Sequence, residues 1–206
     1  GANISCGTGS VPGAISRFDI EDGAIMIRTI GDAPPIGICG SGVVDIIAAG
    51  LREGMIDRTG RMQLASENPD CMLVGKTANG EAIVFTQKDV REFQLAKAAI
   101  RSGLEILLRE FGCCWSDVAA VYIAGGFGAR IDVDSAVAVG LLPVELRGKI
   151  QAVGNSALAG TVEYLVHRDR CEAVARLLDT ASCIDLSRHP LFNDLFIKQL
   201  DFVLPE

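Results

Sequence analysis

The chain has 206 residues, enough for one large domain or two small lobes built without disulfide or metal support. Lys and Arg total 19 against 26 Asp and Glu, a formal net charge of −7 that lacks the basic footprint of a nucleic-acid binder and does not suit an anionic membrane surface. Hydrophobic residues make up 49%, which excludes a disordered chain, and no apolar run approaches the roughly 18 residues of a membrane span. With no secretory or lipidation signal, a cytoplasmic location is expected. The seven cysteines are odd in number and form no Cys-x-x-Cys pair, which predicts reduced thiols. His167 and His189 are the only histidines, too few for a Cys/His zinc centre and near no nucleophile motif. Glycine is the excess: 23 residues where average usage near 7% gives roughly 14.

In chain order, Glu21-Asp22-Gly23 between two apolar runs predicts a hairpin over residues 14–30, and Pro34-Pro35 ends it. Gly37 to Gly42 leads into a helix with apolar positions 43, 46, 47, 50 and 51, with Ser41 as the expected N-cap and Gly54 as the stop. Residues 57–85 read as strands and turns, with short apolar runs at 62–64, 71–74 and 82–85 and a turn at Ala78-Asn79-Gly80. Thr86-Gln87-Lys88-Asp89 has capping-box form. It opens a long helix with an expected apolar face of Val90, Phe93, Ala96, Lys97, Ile100, Leu104, Leu107, Leu108 and Phe111, closed by Gly112. Gly103 inside it predicts close backbone packing.

Val118 to Ala124 reads as a strand buried on both faces and ends in Gly125-Gly126-Phe127-Gly128. Further helices are expected over Ser135–Val139, from Asn155-Ser156 to Val166, and over about 170–180, with a strand at Lys149–Val153. Leu195 to Val203 fits either a strand or a short helix. Alternating strands and helices make the fold class α/β.

Four places could carry chemistry. Glycines after a buried strand let backbone approach a flat ring without a Cβ in the way, so Gly125, Gly126, Phe127 and Gly128 form either an adenine slot or a plain strand-to-helix turn. Gly40-Ser41-Gly42 at a helix start offers unpaired amides to an anion, or only permits a sharp turn; the lysine of a Walker loop is missing. Lys97 stands on the apolar face of the long helix with Gln94 nearby; its readings are a nucleotide contact or a side chain that snorkels to solvent. Asp132 and Asp134 either hold a ribose or a metal-bound water, or cap the next helix.

Taken together these residues resemble one family. Ala124-Gly125-Gly126-Phe127-Gly128 with Asp132, Ala136 and Gly140-Leu141-Leu142-Pro143 carries the resemblance. So do Gly1-Ala2-Asn3-Ile4 with Gly13-Ala14-Ile15, Gly37 to Gly42, Gln94 to Ile100, Gly154-Asn155-Ser156-Ala157-Leu158, and a tail with Asp185-Leu186-Ser187, Phe192, Phe196 and Phe202. In order and over essentially the whole length, the chain is similar to the C-terminal region of the reductive activators of corrinoid proteins. These are ferredoxin-containing ATPases of the acetate and sugar kinase/heat-shock chaperone/actin (ASKHA) superfamily.

The resemblance implies an actin-like, ribonuclease H-like ATPase lobe, a mixed sheet with helices on its faces, spanning 1–206 as one C-terminal lobe divisible into subdomains. It implies ATP with Mg²⁺, and a [2Fe-2S] domain elsewhere in the parent that passes an electron to a Co(II) corrinoid protein. It further implies an adenosine contact at Gly125, Gly126, Phe127 and Gly128, with Gly40, Ser41 and Gly42 beside the cleft and Gln94 and Lys97 flanking it. The ferredoxin cysteines and the Asp-x-Gly-Thr phosphate loops are absent from the sequence, so the chain is expected to be part of a longer protein and to hydrolyse ATP poorly alone. The apolar tail suits pairing with a second copy. Two alternatives stay open: a docking or dimerisation module with a vestigial slot, and an activator of radical dehydratases, in which Cys39 beside Gly40 would ligate an iron–sulfur cluster.

Overall fold

The computed structural model describes residues 3–202. Gly1 and Ala2 of the amino-terminal motif and Val203 of the tail lie outside the described residues. β1 (Ala14–Glu21) and β2 (Ala24–Thr29) form the expected hairpin. Its two-residue turn is left-handed at both positions, Asp22 with φ 50° and Gly23 with φ 79°, the twist that a tight hairpin needs. The short β3 (Gly37–Ile38) pairs with β1 in parallel, so the sheet order is β2-β1-β3 and the sheet is mixed.

Helix α1 (Gly40–Arg52) lies across this sheet. It starts one residue before the expected cap: Cys39 is the N-cap, and the Ser41 hydroxyl donates to the Ser16 carbonyl at 3.0 Å instead of capping. A Cβ at Gly42 would run into the Ile15 carbonyl, so only glycine lets the helix approach β1 this closely. Ile15, Ile38, Val44, Ile46 and Ile47 are fully buried in the seam.

β4 (Cys71–Lys76) and β5 (Ala82–Thr86) form the second hairpin. The run at 62–64 makes only an isolated bridge between Met62 and Ile56. Helix α2 (Gln87–Phe111) follows directly, with both halves of the Thr86–Asp89 capping box formed and Gly112 left-handed at its end. Asp89 is fully buried and also accepts from the Ser5 amide at 2.6 Å. The face that α2 buries differs from the expected one. Val90, Gln94, Lys97, Ala98, Ser102 and Ile106 are buried, whereas Ile100, Leu107 and Phe111 stay exposed. The reason is what α2 packs against: its chief neighbour is the carboxy-terminal helix α7 (Phe192–Lys198), whose following segment presents carbonyl groups that polar side chains must meet. A Cβ at Gly103 would lie 3.1 Å from Leu186, the expected close packing. The tail read as strand or helix is therefore helical to Lys198.

β6 (Val121–Ala124) leads into the single turn α3 (Gly125–Gly128), then α4 (Val133–Ala138), capped by Asp132 through the Ser135 amide at 2.8 Å. Ala136, Val139, Leu141 and Leu142 join the main core. β7 (Ile150–Gly154) pairs with β6 in parallel, and α5 (Ser156–Val166), capped by Asn155, and α6 (Arg168–Thr180) complete the α/β part. The expectation of a strand buried on both faces does not hold within this chain. β6 pairs only with β7 among the described residues, and Tyr122 is 64% exposed. No residue from 147 to 194 is buried. Among the described residues no helix is long and apolar enough to cross a membrane.

The cap predicts a measurable loss. Thr86→Ala removes the side-chain half of the box and is expected to lower stability by about 1 kcal/mol in urea denaturation. Asp89→Ala is expected to cost more, because it strands the Ser5 and Thr86 amides.

Candidate functional site

The sequence-predicted site residues divide into two groups. Gly40, Phe127 and Lys97 line one cavity of about 390 Å³, together with Phe93, Leu95 and Ile100 of α2. Its walls come from segments distant in sequence: the start of α1, one face of α2 and the α3 turn, with Ile4 and Leu141 completing the lining. Gly40 makes the cavity possible in its present shape, since a Cβ there would lie 2.9 Å from the Phe127 ring. Phe127 is 40% exposed and turns an aromatic surface toward the opening, while Leu95 and Ile100 supply half-exposed apolar surface opposite. A mostly apolar slot of this size suits a flat ring. Glu92 is the acidic residue on its lining, and its carboxylate accepts from the Asn3 amide group at 3.2 Å.

Around Phe127 the glycines do separate jobs. Gly125 holds φ +85°, which favours glycine, and Gly128 tucks against Ile123 where a Cβ has no room. Gly126 is exposed and borders Ser10. Together they turn the chain at the carboxyl end of β6 so that Phe127 projects toward α1.

Ser41, Gly42 and Gln94 do not reach the cavity. Ser41 and Gly42 are buried against β1, so the first turn of α1 faces the core rather than an anion. Gln94 is 4% exposed; its amide donates to the Leu200 carbonyl at 2.9 Å and the Thr59 carbonyl at 3.1 Å, and its carbonyl accepts from Arg91 at 2.7 Å. Lys97 neither snorkels nor points its ammonium into the opening. Its Nζ donates to the Asp201 carbonyl at 2.7 Å and lies 5.1 Å from the centre of the Phe202 ring, which stacks on Phe93. Gln94 and Lys97 thus fasten the carboxy-terminal segment to α2, a role the motif pattern did not reveal.

Cys39 is 1% exposed, and its thiol donates to the Ile15 carbonyl at 3.3 Å. Among the described residues no group of three or more His, Cys, Asp or Glu is placed to hold a metal ion. Asp132 and Asp134 follow the capping reading. Asp132 caps α4 and accepts from Arg17 at 2.7 Å, and Asp134 pairs with Arg147 at 3.1 Å. These pairs border a second, charged cavity of about 550 Å³ between β1, α1 and α4. Asp45, 3% exposed in its wall, has its carboxyl pushed up by burial and held back by Arg17, which lies 3.6 Å away. Sequence reasoning missed this cluster, because Arg17, Asp45 and Asp132 are too far apart in the chain to form a local pattern.

Burial, reinforced by the nearby Arg101 guanidinium and opposed by Asp201, lowers the Lys97 ammonium from 10.5 to about 8. Above pH 8 the folded chain releases this proton while the unfolded chain still binds it, so the stability contribution of this group rises from pH 8 toward 10.5. Lys97→Met is expected to abolish that rise in urea denaturation followed across the same pH range. A variant whose stability climbs as steeply as the parent's would remove Lys97 as its source.

Comparison with known proteins is consistent along the whole chain. Residues 1–205 match the family described as the C-terminal domain of RACo, the ASKHA domain. A corrinoid activation enzyme, RamQ, of Eubacterium limosum is 34% identical over 98% of this chain and 37% of its own length. The [Co(II) methylated amine-specific corrinoid protein] reductase of Methanosarcina barkeri is 29% identical over 81% of this chain and 29% of its own. A solved reductive activator for corrinoid, iron-sulfur protein superposes with a TM-score of 0.88 at 32% identity, over 98% of this chain and 34% of that one. The chain therefore spans about a third of the length of the relatives it matches. Sequence and backbone agree from one end to the other, and the chain belongs to the RACo C-terminal family, an ASKHA domain.

Proposed function

We propose that the chain is the C-terminal part of an ATP-driven reductive activator that returns a corrinoid protein from Co(II) to Co(I). The observation that carries this reading is the meeting of Gly40, Phe127 and the α2 face at one apolar cavity, in a chain whose relatives are named as corrinoid activators and reductases. The cavity would take the adenine base: Phe127 would lie along one side of the ring and Leu95 and Ile100 along the other. Gly40 leaves the room that the Phe127 ring needs. Gln94, Ser41 and Gly42 act behind the site, holding its walls, and Lys97 lines it while its ammonium ties down the carboxy-terminal segment.

The remaining parts of the reaction belong to other residues of the longer protein. The phosphates and Mg²⁺ would sit on Asp-x-Gly-Thr loops, which the 206 residues do not contain, and the electron would come from a [2Fe-2S] domain, whose cysteine pattern they also lack. A cluster there would supply the one electron that takes Co(II) to Co(I), and ATP would supply the driving force for that uphill step. The partner is a corrinoid protein. Pairing with a second copy belongs to the same reading, although Phe202 and Leu195 of the apolar tail are buried within the chain and contribute little surface to it. The buried thiol of Cys39 favours this reading over an iron–sulfur dehydratase activator, which needs that sulfur accessible.

Isothermal titration with ATP tests the base site. Phe127→Ala is expected to weaken binding at least tenfold, and Gly40→Val, which drives Phe127 from its place, by more. Gly126→Trp, which adds a large ring at the exposed position next to Phe127 in the α3 turn, is expected to weaken binding as well. ATP affinity unchanged in all three variants would sink the assignment, and corrinoid-protein binding that ignores nucleotide would favour a docking module instead.

A further inference from the structure

Behind the apolar cavity runs a short piece of chain that belongs to no helix or strand. Leu200, Asp201 and Phe202 follow α7 and pass between α2 and the loop at residues 57–60. Gln87, Arg91, Gln94 and Lys97 are spaced so that they share one side of α2, and each donates to main-chain carbonyls there. Gln87 reaches Gly60 at 2.7 Å, Arg91 reaches Thr59 at 2.6 Å, Gln94 spans Thr59 and Leu200, and Lys97 reaches Asp201. The loop holds the segment from its other side. The Phe202 amide donates to the Arg58 carbonyl at 2.8 Å, and the Arg58 guanidinium lies 3.9 Å from the Asp201 carboxylate.

The same segment backs the cavity. Phe93 and Lys97, one turn apart on α2, both line it. The Phe93 ring stacks on Phe202 with centroids 6.3 Å apart and planes inclined by 24°, and Phe202 is 1% exposed. The Lys97 ammonium sits 5.1 Å from the centre of the same ring. Two neighbouring wall residues therefore rest on one buried side chain. Without it the wall would back onto a void the size of a phenyl ring, and side chains around such a void relax into it as far as the site can collapse. A segment tied by a few isolated bonds belongs to the low-stability end of a fold, where the binding energy of a ligand can shift its docking.

We infer that Leu200–Phe202 is a strap that sets the back wall of the Phe127 cavity. Phe202 is a positioning residue: it acts on a bound ring through Phe93 without touching it, and strap docking and ligand binding favour each other. The identity of the ligand rests on the base-site reading above; the control of the wall does not.

Two variants of the 206-residue chain loosen the strap by different routes. Phe202→Ala removes the ring behind Phe93. Gln94→Met unties Leu200 and changes no residue of the lining. Without ligand, the methyl NMR signals of Val43, Ile100 and Leu141 in the lining are expected to move in both, while the α1 amides keep their protection from exchange. Both are expected to bind ATP roughly five- to tenfold more weakly than the parent, a coupling of ordinary size. In the parent, saturating ATP is expected to slow exchange of the Phe202 amide by about the same factor, because coupling between two sites is reciprocal. A role confined to stability would leave that amide indifferent to ATP. Lining methyl signals unmoved in both variants would overturn the inference. So would ATP affinity unchanged in both while Phe127→Ala loses it, or a Phe202 amide that exchanges equally fast with ATP bound. A parent chain that binds no ATP would sink the base-site reading instead, and the methyl signals alone would then uphold or overturn the strap.

Discussion

The approach of α1 to β1 at Gly42 governs the rest of the architecture. A side chain at that position would meet the Ile15 carbonyl, and the helix could not settle onto the sheet. With the contact made, the Ser41 hydroxyl reaches the Ser16 carbonyl and the Cys39 thiol the Ile15 carbonyl. Asp45, one turn along, lands where the Phe18 amide and Arg17 meet its carboxylate. Arg17 then joins Asp132 and thereby fixes α4. The same placement brings Gly40 against Phe127. One glycine thus sets both the core of the first half and the relation of that half to the α3 turn.

Helix α2 supplies the second constraint, through polar groups rather than apolar ones. Gln94 and Lys97 are buried because they satisfy carbonyls of the carboxy-terminal segment, which would otherwise have no partner in the core. Their burial leaves Leu95 and Ile100 facing outward beside Phe127. The apolar wall of the cavity is thus the consequence of a helix rotated so that its polar residues point inward. A burial cost on the Lys97 charge is the physical counterpart of that arrangement.

The two halves of the chain differ in how far they satisfy themselves. The part built on β1, α1 and α2 closes a core that extends to Leu142, while the ribbon β6–β7 and the α5–α6 pair leave apolar surface open. The Phe127 turn joins these halves at the carboxyl end of β6. A ligand seated there would touch both.

Local chemistry was legible in the residues themselves. The Asp22-Gly23 turn, the Thr86–Asp89 box, the Gly112 stop, the Asn155 cap and the glycine turn after β6 are set by neighbours within four positions, and they stand where the sequence puts them. Family membership was equally legible, because it rests on ordered motifs. What only the tertiary structure decided was every feature that depends on contacts far apart in the chain. Periodicity cannot tell which side of α2 is buried when the covering segment carries carbonyls instead of methyl groups, so the ties of Gln94 and Lys97 to the carboxy-terminal segment showed only in the fold. Apolar composition cannot show whether β6 has found both neighbours. Gly40, Phe127 and α2 are separated by some fifty residues from α1 to α2 and some thirty more to the turn, and only the seating of α1 on β1 at Gly42 makes them walls of one cavity.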